Sequence, residues 1–284
     1  MYKVLRRENL VPNIHLLKVE APAVAAKAQP GQFVMIMVDE KGERIPLTIA
    51  DWDRDEGSIS IVFMELGTST RKLAALNSGD HILNFVGPLG LPTHIDKFGT
   101  VVLAAGCFAV GPIISIARAL KEMGNKVISI TEARSKNLLY WERNLGATSD
   151  ELIVTTGDGS YGYRGWATDP LRELLQRGEK VDRVIAIGCT FMMKECAEAT
   201  RPFGVKTIVS LNPIMVDGTG MCGCCRVEVG GVTKFACVDG PDFDGHEVDW
   251  ELLLARQRIY LPQEEQSLDL WERENWHRVM LRGR

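Results

Sequence analysis

The chain has 284 residues, is 45% hydrophobic and 25% charged, and carries a formal net charge of −4. Such a composition fits a soluble globular protein of two domains, or of one with an appendage, and its acidic balance argues against non-specific nucleic-acid binding, which draws on a basic surface. Seven cysteines, four of them between positions 222 and 237, do not make the spaced framework of a small secreted domain and suggest a reducing compartment.

The first ten residues carry charges with no apolar run behind them, so no secretory signal is expected and the protein should stay in the cytoplasm. Residues 1–97 read as short apolar runs separated by turn residues: I-H-L-L-K-V, G-Q-F-V-M-I-M-V, S-I-S-I-V-F-M and D-H-I-L-N-F-V. Recurring short strands of this kind predict a small antiparallel β-barrel. A helix is expected from Ser69 to Leu76, after Gly67-Thr68. A Gly/Thr/Ser loop that opens a helix offers backbone N–H groups and hydroxyls to an anion, here from Gly67, Thr68, Ser69 and Thr70. Upstream, Arg44-Ile45-Pro46-Leu47-Thr48 resembles the flavin strand of the ferredoxin reductase superfamily, in which an Arg-x-(Tyr/Pro)-x-(Ser/Thr) segment lies along the isoalloxazine and a later Gly-x-x-Thr helix start takes the phosphates. The resemblance implies FAD. Gly87 to Pro92 reads as a turn-rich connector.

From Gly99 the pattern changes to strands alternating with helices, the signature of a parallel sheet covered on both faces. Phe98 to Ala117 is uncharged and about long enough to span a bilayer, but Gly106 and Gly111-Pro112 break it, so no membrane span is expected. The strand T-V-V-L-A-A passes through Gly106, Val110, Gly111 and Pro112 into a helix, where a nucleotide phosphate would meet the helix N-terminus. This loop is similar to the G-G-G-x-G-x-x-P loop of the same superfamily, with Ala105, Cys107 and Ala109 departing from it. Glu132 and Arg134 end the second strand, Asp158-Gly159-Ser160 the third and Gly188-Cys189 the fourth. All four tips share the carboxyl edge of the sheet, where such folds bind ligands. By resemblance Cys189 lies near a nicotinamide. Glu132 would suit the ribose 2′-OH of NAD(H), and Arg134 the 2′-phosphate of NADP(H). Cys107, Cys196 and the Met192-Met193 pair read as packing, and Tyr140, Trp141 and Trp166 as wall residues that could also stack on adenine.

Residues 211–250 read as an iron–sulfur segment. Cys222 and Cys225 have C-x-x-C spacing, Cys237 returns from the next hairpin, and the plant-type C-x4-C-x2-C pattern fits if Asp217 takes the first place. Asp217, Cys222, Cys225 and Cys237 are the expected ligands of a [2Fe-2S] cluster, with Cys224 the rival for the fourth place. A zinc site is the competing reading of the same cysteines. The acidic run from Val238 to Trp250 would make the cluster harder to reduce, meet a basic partner, or simply be solvated. Residues 251–284, polar and charged, read as a tail that docks on a partner or frays.

The order of a FAD barrel (1–97), an NAD(P)-binding α/β domain (98–210) and a cluster segment (211–250) resembles the electron-transfer subunits of dihydroorotate dehydrogenase. It is closer to the small subunits of NADH-dependent ferredoxin:NADP oxidoreductase, also called sulfide dehydrogenase, which use one aspartate and three cysteines at the cluster. That resemblance implies an oxidoreductase subunit relaying electrons between NAD(P)H, FAD and the cluster to a larger flavin and iron–sulfur subunit, with ferredoxin met through that subunit and electron bifurcation in the complex. The alternatives are a dihydroorotate dehydrogenase partner and a non-redox, zinc-bearing module.

Overall fold

The computed structural model describes residues 1–275, with every side chain there except that of Cys107. Among the described residues, seven strands form an antiparallel barrel sheet: β1 (Tyr2–Val11), β2 (Ile14–Glu20), β3 (Phe33–Met37), β4 (Ile45–Asp53), β5 (Ser58–Met64), β6 (His81–Ile82) and β7 (Asn84–Leu89), in the order β6-β1-β2-β5-β4-β3-β7. Alternating side chains from these strands, among them Leu17, Ile36, Ile49, Ile61 and Phe85, fill the interior, together with two helices, α1 (Pro22–Ala25) and α2 (Thr68–Ala74). Two features depart from the sequence reading. The charged N-terminal stretch is strand β1, whose polar residues hid its alternation because only Val4 of its ten residues is buried. The connector at Gly87 is still strand, since β7 runs on to Leu89 against β3.

The second sheet has the order β11-β10-β9-β8-β12-β13-β16. Its parallel strands are β8 (Thr100–Gly106), β9 (Lys126–Ala133), β10 (Glu151–Thr156), β11 (Tyr163–Arg164), β12 (Arg183–Ile187) and β13 (Thr207–Ser210). They are connected through α3 (Val110–Glu122), α4 (Glu142–Ala147), α5 (Thr168–Gln176) and α6 (Thr190–Thr200). The apolar and charged run Leu138–Leu145 is α-helical only in its second half, because Trp141 takes the left-handed conformation at φ 52° and α4 starts only after it. Strand alternation divides the core in two. Val101, Leu103 and Ala105 face α3 and the barrel residues Ala50 and Val62, while Val102 and Ala104 face the opposite side with α5 and α6.

Beyond β13 lie a small hairpin, β14 (Arg226–Val229) with β15 (Val232–Phe235), and the edge strand β16 (Asp242–Asp244), which pairs antiparallel with β13. Residues of this segment, including Cys225, Cys237 and Phe243, share one hydrophobic core with Phe33 and Met35 of the barrel. Two helices follow, α7 (Trp250–Gln257) and α8 (Leu261–Glu274). Residues 251–274, read in sequence as a docking or fraying tail, therefore fold back onto their own chain; 276–284 lie outside the described residues. No helix among the described residues is long and apolar enough to cross a membrane.

Asp242 joins these parts. Its Oδ2 accepts from Thr93 Oγ1 at 2.6 Å, in the segment linking barrel to sheet. Its Oδ1 is sealed from solvent with no partner within hydrogen-bond distance among the described residues, although the residue as a whole is half-buried. Burial pushes this carboxyl up from its ordinary value, against the opposing pull of the Thr93 and Ser210 hydroxyls. An acid raised in the folded state is most stabilising below its unfolded pKa of about 4 and loses that stability as pH rises through the folded pKa. Asp242→Asn, which stays neutral, should therefore gain stability relative to the unaltered protein as pH is raised above about 4. Thermal unfolding of both across pH 4–8 measures this, and parallel pH profiles would refute it.

Candidate functional site: a flavin cavity, a sheet edge and a cluster loop

A cavity of about 940 Å³ opens between the barrel and the sheet. It sits at the upper end of the ~300–1,000 Å³ typical of ligand clefts, and its walls are mainly apolar with a few polar groups, the usual make-up of a cofactor site. The barrel contributes Arg44, Pro46, Leu47 and Thr48 at the start of β4, together with Thr70 of α2; Pro112 and Gly188 reach it from the sheet edge. Residues expected for the flavin and for the nicotinamide thus face one space. Arg44 is exposed, and Thr70 Oγ1 accepts from the backbone N–H groups of Leu66 and Gly67 at 2.9 and 3.0 Å, so it shapes the turn before α2. Thr68 Oγ1 lies 2.9 Å from Ser267 Oγ of α8, and Ser69 is buried. A flavin fits this setting, with apolar surface for a ring system beside the Arg44 cation and Thr48.

At the sheet edge, a Cβ on Gly106 would lie 2.7 Å from Met192 Sδ and 3.3 Å from Gly188 Cα, and one on Gly188 would lie 3.1 Å from Gly106 Cα. These two glycines let the tips of β8 and β12 touch. A Cβ on Gly111 would meet Ala50 Cβ at 2.8 Å, so Gly111 seats α3 on the barrel, beside buried Val110. Glu132 lies elsewhere than expected. It is 6% exposed, and its Oε2 accepts from the backbone N–H of Ala167 at the start of α5 at 2.8 Å. Burial raises its carboxyl despite that bond. A side chain so enclosed is not presented to a ribose. Arg134, by contrast, is exposed, and its carbonyl accepts from Asp158 N at 3.0 Å. Asp158 is held below its ordinary value by Ser160, whose N–H it accepts at 2.9 Å, and Gly159 makes the turn at φ +76°. Arg134, Asp158, Gly159 and Ser160 are brought together on the surface. Cys189 is exposed at the cap of α6, whereas Cys196 is fully buried and its thiol is strongly raised by burial. The packing expected of Cys107 lies outside the described side chains. Tyr140 is buried and Trp141 packs edge-on against it; Trp166 is half exposed beside Gly157.

The cluster loop leaves the cavity wall directly: Met215 and Val216 line the cavity, and Asp217 is next in sequence. Gly218, at φ +80°, has no room for a side chain, since a Cβ would lie 2.6 Å from Met35 Cγ of the barrel. The four expected ligands come as two pairs. Asp217 Oδ2 accepts from Cys222 N at 2.8 Å, and its carboxyl is held well below the usual range, first by the Cys222 side chain and then by Thr219. The Cys225 and Cys237 sulfurs lie 3.2 Å apart, and burial together with Cys225 pushes the Cys237 thiol up to about 12. Two buried thiols in contact become ligands only when a cation offsets their charge. Among the described residues, no three His, Cys, Asp and Glu side chains stand close enough together to hold one metal ion. A dinuclear cluster, with two ligands on each iron, suits a pair-and-pair arrangement. The Cys224 thiol is raised by burial, and its carbonyl accepts from Arg256 Nη2 of α7 at 3.1 Å.

Sequence reasoning missed part of the cavity. Asn212, Gln257, Tyr260, Gln263 and Glu264 also line it. Gln257 Nε2 donates to the Asn212 carbonyl at 2.9 Å, and Thr190 Oγ1 donates to Gln257 Oε1 at 2.9 Å. These residues carried no local signal, because a polar helix looks the same in sequence whether it faces solvent or a cavity.

Known proteins resemble this chain over nearly its whole length. Residues 212–249 match the model of the iron-sulfur cluster binding domain of dihydroorotate dehydrogenase B. A Thermotoga maritima protein named as a dihydroorotate dehydrogenase B (NAD(+)) electron transfer subunit homolog is 45% identical over 94% of each chain. A solved structure of an NADH-dependent reduced ferredoxin-NADP oxidoreductase, described for flavin-based electron bifurcation, is 45% identical and covers 95% of this chain and 98% of its own at a TM-score of 0.90. A Neisseria gonorrhoeae ferredoxin NADP+ reductase with bound FAD and NADP, 16% identical, covers 72% of this chain and 90% of its own at 0.59, and shows the shared fold alone. The chain belongs to the family of dihydroorotate dehydrogenase B electron-transfer subunits and their homologues.

Proposed function

We propose that the protein is the electron-transfer subunit of a ferredoxin:NADP oxidoreductase, relaying electrons between NAD(H), FAD and a [2Fe-2S] cluster to a larger flavin and iron–sulfur subunit, in a complex that bifurcates electrons. The observation that carries this is the continuity of one wall: Gly188 at the sheet edge, Arg44 to Thr48 on the barrel, and Met215 and Val216, which run into Asp217. A flavin bound there supplies the exchange of two electrons with a nicotinamide and of single electrons with iron.

The chain's own residues have three tasks. Arg44, Pro46, Leu47 and Thr48, with Gly67, Thr68, Ser69 and Thr70 at the start of α2, hold the flavin. Gly106, Val110, Gly111, Pro112 and Gly188 shape the edge where the nicotinamide docks, with exposed Cys189 beside it. Exposed Arg134, with Asp158, Gly159 and Ser160, takes the ribose end. Asp217, Cys222, Cys225 and Cys237 hold the cluster next to the cavity.

Coexpression with a neighbour-encoded large subunit tests the assignment. The purified complex should be yellow-brown, bleach on addition of NADH, and couple NADH and reduced ferredoxin to reduction of NADP+. Orotate-dependent turnover in the same complex would transfer the assignment to dihydroorotate dehydrogenase. A colourless protein containing zinc and no iron would end both.

A further inference from the structure

The C-terminal helices run across the cavity and are fastened at each side of it. At the sheet edge, Gln257 holds Asn212 and Thr190, the residue after Cys189. At the barrel edge, Ser267 meets the Thr68 hydroxyl at 2.9 Å, Glu272 pairs with Arg71 at 2.6 Å, and the Arg71 guanidinium lies 5.7 Å from the centre of the Trp271 ring. Between these anchors Tyr260, Gln263 and Glu264 face into the cavity. An exposed helix held only by its own propensity would need no such fastening; this one spends its contacts on both rims of one cleft.

We infer that α8 and its cap residue Tyr260 are a wall of the flavin site, a strap in which Tyr260, Gln263 and Glu264 contact the bound flavin dinucleotide and retard its release. The inference rests on the assignment of the cavity to a flavin. Tyr260 offers a ring face and a hydroxyl, Gln263 an amide, and Glu264 a carboxylate suited to sugar or ribityl hydroxyls rather than to phosphates. Of these anchors, Arg71 and Glu272 lie outside the residues that line the cavity, so weakening their pair should loosen the flavin from outside it.

The test compares the full-length chain with Tyr260→Ala/Gln263→Ala, with Glu272→Lys and with Glu272→Asp, all depleted of flavin and titrated with FAD while flavin fluorescence is followed. Tyr260 is 47% exposed and the Glu272 side chain 38% exposed, so the fold should tolerate each change; circular dichroism and iron content verify that it has. The double variant should bind FAD about tenfold or more weakly, the scale of losing one or two good polar contacts, chiefly through faster release. Glu272→Lys should release FAD faster with the cavity residues intact, and Glu272→Asp should largely restore retention. Equal affinity and release rate in all four proteins would overturn the strap while leaving the flavin site standing. A flavin-depleted but folded unaltered chain that takes up no FAD would instead overturn the flavin assignment itself.

Discussion

Replacing Asp217 by alanine is expected to strip the cluster from the protein while leaving FAD bound. Asp217 is the carboxylate among the four ligands proposed above; Cys222 and Thr219 stabilise it in its charged form, the form a metal needs. Loss even of a group outside the ligand shell typically costs about 10–100-fold in metal affinity, and loss of a ligand should cost at least that. Iron content and the EPR signal of the reduced cluster should therefore fall sharply in Asp217→Ala, and flavin absorbance should persist because the cavity walls are untouched. Cys224→Ser should retain both signals. Unchanged iron and EPR signal in Asp217→Ala, together with their loss in Cys224→Ser, would hand the fourth ligand position to Cys224.

A second large effect is expected at Gly218. A valine there must adopt φ near +80° and place its Cβ 2.6 Å from Met35 Cγ and 3.0 Å from Leu89 Cδ1. The left-handed conformation costs about 1–2 kcal/mol and overpacking about 1–3 kcal/mol. Together these should lower Tm by several degrees, since each kcal/mol is worth roughly 2–4 °C in a chain of this size. The functional consequence is more specific: the loop that carries Asp217 must lift off the barrel strand that backs the flavin cavity. Stopped-flow mixing with NADH should show the flavin reduced at its normal rate and the cluster reduced more slowly. Met35→Ala in the same chain removes the closer contact but leaves the one with Leu89 and the backbone strain, so it should restore part of the loss, a coupling that independent sites would not show. Identical cluster reduction in Gly218→Val and the unaltered protein would mean that the contact with Met35 does not set the approach of cluster to flavin.

Much of the architecture was legible in the linear chain because it follows from period. Alternating residues such as Ile59, Ile61 and Phe63 declare a half-buried strand, and strands alternating with helices from Thr100 onward declare a parallel sheet. The spacing of Asp217, Cys222 and Cys225 likewise marks a cluster loop, since short spacings constrain which side chains can meet.

What tertiary packing decided is the use to which each residue is put. Glu132 stands at a strand tip, where sequence expects a ribose ligand, but the turn into α5 closes over it and its carboxylate caps that helix. Gly111 looks like a phosphate glycine and is required equally by the approach of α3 to Ala50. The last helices look like a loose charged tail and fold across the cavity, because Thr68, Arg71, Thr190 and Asn212, distant in sequence, supply their anchors. Local order in the chain reports periodicity and spacing, which act over a few residues. Burial and partnership depend on segments as far apart as the 35 residues between Glu132 and Ala167 or the 199 between Thr68 and Ser267, and those become visible only once the chain has folded.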